Sequence, residues 1–117
     1  VAGVTAFLAE EYSRQLANFY IAAGDDRAAV AGLRRHLDRV ASIRRQVPTD
    51  RSRDDYLTYE DCNTASEIAV LSEPDEHEAR MADAAGRCSK VTPGRTVDLS
   101  HWLGIAGHWV KILRGQE

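Results

Sequence analysis

CNTASEIAVLSEPDEHEARMADAAGRC, residues 62–88, is two helical runs joined by one punctuated turn. Ser72-Glu73-Pro74-Asp75 supplies a serine cap, a proline where only the first helical turn tolerates one, and an acid where the helix dipole favours it. A chain that reverses there lays the two runs side by side, antiparallel. Cys62 lies eleven residues before Glu73 and Cys88 fourteen after Pro74. At about 1.5 Å of rise per residue the mismatch is about one turn, so a Cys62–Cys88 disulfide across the hairpin is expected. Closing that loop should stabilise the fold by about 3.5 kcal/mol on chain-entropy grounds.

Helical spacing extends outward from this hairpin in both directions, and no period-2 alternation interrupts it. Val4, Leu8, Tyr12, Leu16, Phe19 and Ala23 recur on one stripe, which predicts a first helix over about 4–23 with that stripe turned inward. Gly24 reads as its C-cap, and Asp25 or Asp26 can cap the next helix. The second helix, about 27–47, places Val30, Leu33, Leu37, Val40 and Val47 on one face and ends before Pro48. Residues 49–55 are polar throughout and read as a loop. Thr58-Tyr59-Glu60-Asp61 resembles a capping box and sets the expected start of the third helix, which runs to about Leu71. The fourth runs to about Ser89, Pro93-Gly94 marks a turn, and Asp98 or Ser100 caps a fifth helix that ends near Gly115. The expected fold is all-α: a compact bundle of about five helices, one domain over residues 1–117.

Charge falls in blocks although the net charge is −3. Residues 27–53 hold eight arginines against Asp38 and Asp50, whereas 54–83 hold ten carboxylates against Arg80. Helices of opposite sign neutralise one another when packed, and they also leave faces that a partner can read. The acidic balance argues against nucleic acid as the partner. No run is long and apolar enough for a membrane span. Two cysteines, and a chain beginning at Val1, fit an extracytoplasmic protein, periplasmic or secreted.

The last helix reads SHWLGIAGHWVKIL over residues 100–113. It is apolar almost all round, as a central bundle helix is. Trp102 and Trp109, with His101 and His108 beside them, are also candidate anchors for a partner, since tryptophan is enriched at binding hot spots. Arg34, Arg35, Arg44 and Arg45 are candidates for steering it.

Chemistry finds little support in the motifs. His101 and His108 lie about 10.5 Å apart along a helix, too far to share one ion. Glu73 and His77 have the right spacing but sit at an exposed helix start. Asp98, Ser100 and His101 are sequence neighbours, not a triad assembled from separate elements. There is no phosphate-binding glycine loop. An enzyme would need a cleft that gathers His36, His77, His101 or His108 with a carboxylate. No metal and no cofactor are expected. The expected function is non-catalytic protein–protein interaction, of the kind an inhibitor or immunity-type protein, an accessory subunit or a receptor ectodomain performs. The alternative is a carrier holding a small apolar ligand in the bundle, with Tyr12, Phe19, Tyr20, Trp102 and Trp109 as walls.

Overall fold

A computed structural model describes residues 2–48, 50–91 and 98–116, and for residues 2–7 the backbone alone. Five helices follow one another: α1 (Ala2–Ala22), α2 (Asp26–Gln46), α3 (Arg51–Leu71), α4 (Pro74–Cys88) and α5 (Leu99–Leu113). The expected turn at Pro93-Gly94 lies outside the described residues.

Local chemistry explains most of the boundaries. Gly24 adopts a positive φ of 78°, and the amide of Asp25 donates back to the carbonyl of Tyr20, closing α1 with a left-handed cap. Asp25 then caps α2 through the amide of Ala28, and Val47, ahead of Pro48, leaves the helix in an extended conformation. Asp98, not Ser100, is the N-cap of α5.

Two boundaries differ from expectation. Helix α3 begins at Arg51, seven residues before Thr58, because the carboxylate of Asp50 accepts from the amide of Arg53 and nucleates a helix in the polar stretch. The Thr58–Asp61 pattern therefore lies inside a helix. Ser72 does not cap α4: its hydroxyl donates back to the carbonyl of Ala69, and Glu73 holds the cap position without a side-chain bond.

Helix α3 is the centre of the molecule and packs against α2, α4 and α5, while α1 packs against α2 and α5. The main core joins Ala17 and Ile21 of α1, Ala29 and Leu33 of α2, Ile68 and Leu71 of α3 and Val110 of α5. Gly32 allows α1 and α2 to approach closely, since a Cβ there would sit 3.4 Å from Ala17. The Cys62–Cys88 disulfide joins α3 to α4 with the Cα atoms 4.5 Å apart, and Trp102 and Val91 pack against it.

Helix α1 corrects the expected orientation. Its inward side is Glu10, Ser13, Ala17 and Ile21, whereas Leu8, Tyr12 and Phe19 point to solvent at 65%, 70% and 65% exposure. The apolar stripe lies on the outside, while the inward side is polar at Glu10 and Ser13 and apolar toward the C-terminal end at Ala17 and Ile21.

Candidate functional site

The backbones of α1 and α3 stay apart; they share the apolar core at Ala17, Ile21, Ile68 and Leu71, and toward the other end long polar side chains bridge them, with α2 alongside. Glu10 and Arg14 recur at i, i+4 on α1, and Tyr56, Glu60 and Glu67 recur at i, i+4 and i+11 on α3. His36 comes from the buried side of α2. These spacings place each set on one helical face, so a seam of ionisable groups runs through the bundle.

At one end of the seam Glu10, His36 and Glu60 each offer one ligand atom, all within 4.8 Å of one another. The Nε2 atom of His36 lies 3.4 Å from Glu10 Oε1 and 3.7 Å from Glu60 Oε2. His36 has no solvent exposure, Glu10 almost none, and Glu60 is mostly covered. The phenol of Tyr56 donates to Glu10 Oε1 at 3.3 Å. Neither His36 Nε2 nor Glu60 Oε2 has a hydrogen-bond partner among the described residues.

The other ring nitrogen fixes the tautomer. The hydroxyl of Ser13 donates its single proton to the carbonyl of Glu10 at 2.8 Å, so toward His36 Nδ1, 3.1 Å away, it can only accept. Nδ1 therefore carries a proton. Nε2 faces two carboxylates.

The groups polarise one another. Burial pushes Glu10 above the ordinary carboxylate range; His36 opposes that push and Glu60 adds to it. Burial acts on Glu60 in the same sense, but His36 and Arg14 outweigh it and hold Glu60 low. Tyr56 is pushed well up, by burial first and then by the charges of Glu60 and Glu10.

At the other end Arg14 grips Glu67 through both guanidinium nitrogens, at 2.5 Å each. The Glu67 side chain is fully buried and that of Arg14 nearly so. Burial pushes the Glu67 carboxyl up against the pull of this fork.

The residues expected to meet a partner are scattered. Trp102 is buried against the disulfide, with its ring edge-on to Tyr59 at 5.9 Å. Trp109 is half-buried, and its indole nitrogen is covered. His101 and His108 are exposed on α5. Arg34, Arg35 and Arg45 are exposed on α2. Arg34 lines a surface groove with Arg27, Glu73 and Arg80, while Arg44 turns inward to Asp54, Thr58 and Asp61. Arg44 thus neutralises the acidic helix, as the charge blocks suggested.

Two features escaped the sequence. The first is the His36 cluster, whose members come from three helices and share no motif. The second is the exposed row of α1. No protein-family model, no curated protein and no solved structure matches this chain.

Proposed function

We propose that this domain is a non-catalytic protein-interaction module whose docking face is the outer side of α1. The observation that carries the proposal is the row Leu8, Tyr12 and Phe19, three large apolar side chains held in water along one face of one helix, with half-buried Leu16 between the last two. A row of this kind is stabilised by cover, and apolar exposure concentrated on one face marks interaction surfaces. Tyrosine and phenylalanine are also side chains that interfaces favour. Trp102 is too deeply buried to be an anchor, which moves the docking face from α5 to α1. The partner is another protein that offers an apolar face, with the exposed arginines of α2 contributing steering. An inhibitor or immunity-type protein, an accessory subunit or a receptor ectodomain would use such a face, and the disulfide favours an extracytoplasmic setting. A carrier for an apolar ligand finds less support, since two surface grooves among the described residues have charged walls.

The test compares wild type with Leu8→Ser/Phe19→Ser by affinity capture from the source organism and by sedimentation velocity. Both sites are exposed, so the variant should keep its helical circular dichroism and its melting temperature. A defined partner retained by wild type and lost by the folded variant is the expected result. Identical capture and identical sedimentation for the two proteins would refute the proposal.

A further inference from the structure

The geometry points to a binding site for one divalent first-row transition-metal ion, zinc or a close relative, held by His36 Nε2, Glu10 Oε1 and Glu60 Oε2. Three independent observations converge on it. The first is spacing. Two ligand atoms about 2.1 Å from a common ion at a tetrahedral angle lie about 3.4 Å apart. The separations from Nε2 are 3.4 Å and 3.7 Å. These are long for hydrogen bonds and suited to sharing a cation.

The second is the proton on His36 Nδ1. Ser13 accepts it there, which leaves Nε2 as the ring nitrogen open to an ion, fully buried, without a hydrogen-bond partner among the described residues and beside two carboxylates. A bound cation would take the lone pair of Nε2 while Nδ1 keeps its proton toward Ser13. Metal-bound histidines have this arrangement, with the distal nitrogen donating to an oxygen that fixes the ring. Ser13 is that positioning residue.

The third is charge. The site brings two largely covered carboxylates beside one imidazole. The guanidinium of Arg14, whose charge acts on Glu60, has both terminal nitrogens committed to Glu67. A divalent ion balances the set. The imidazole donor selects a transition ion over magnesium or calcium, which prefer all-oxygen shells. Thiolate takes no part, because both cysteines are in the disulfide. Since the three ligands come from α1, α2 and α3, the ion would tie together three helices.

The experiment is calorimetric titration of the intact, chelator-treated protein with zinc chloride, together with its melting temperature with and without zinc. Wild type should take up one equivalent and melt higher. Glu60→Gln, at the most accessible of the three ligands, should weaken binding by about 10–100-fold and abolish the melting shift. His101→Gln/His108→Gln should retain the full equivalent, which separates the buried site from the exposed histidines. Should Glu60→Gln not fold, ring-nitrogen NMR of wild type decides alone: one equivalent of zinc must move the Nε2 resonance of His36. The absence of saturable uptake, uptake that survives Glu60→Gln, or a His36 resonance that zinc leaves unmoved would overturn the site.

Discussion

Glu67 has no exposed side-chain surface, and its charge is met by both arms of Arg14. Desolvating two charges costs several kcal/mol each, and only the fork offsets it. Arg14→Ala should therefore lose about 3–5 kcal/mol in urea unfolding, far more than truncation of an exposed arginine such as Arg35. Replacing Arg14 and Glu67 together by methionine should recover most of that loss, because no lone charge is then left inside. Tyr56 gives a pH signature. Its phenol is held above the ordinary value in the folded protein, so as pH rises past about 10 the unfolded chain releases the proton first. The contribution of Tyr56 is complete below that pH and is lost as pH climbs toward the raised folded value. Urea unfolding from about pH 9 to 11 should show a steeper alkaline decline for wild type than for Tyr56→Phe.

At the scale of the helix, one substitution has opposite effects at two glycines. Gly24 holds a positive φ at the C-terminal cap of α1, where an L side chain is strained, so Gly24→Ala should cost about 1 kcal/mol. Gly86 lies within α4 with open space around it, so Gly86→Ala should add about 0.5–1 kcal/mol through helix propensity. Thermal melts of the two variants should move in opposite directions. The helices themselves were legible in the sequence wherever one or two adjacent residues decide the outcome: the glycine after α1, the proline after α2, the turn between α3 and α4. The start of α3 was not, because Asp50 and the charged residues after it resemble loop until the capping bond is seen. The inward side of α1 was not legible either. Glu10 and Arg14 have the spacing of a solvated ion pair, and nothing within α1 reveals that their partners wait on α2 and α3. The same reason hid the His36 cluster. Each residue looks ordinary in its own helix, and the site exists only in their juxtaposition.

Across the whole molecule, the disulfide sits at the α3–α4 side and the polar seam at the α1–α3 side, so two unlike devices hold the central helix to its neighbours. Cys62→Ser/Cys88→Ser should lower the unfolding free energy by about 3.5 kcal/mol, a large share of the 5–15 kcal/mol a domain typically has. Adding reductant to wild type should reproduce that loss and leave the double variant unchanged, since no other cysteine is present. The seam has a consequence for descent. A lineage that loses the positive charge at residue 14 while keeping the acid at 67 inherits a stranded anion in its interior, and the reverse change strands a cation. The two positions, 53 residues apart in the chain, are therefore inherited as one character: relatives of this protein should keep both charges or discard both, and an aligned family would show the pair changing in step.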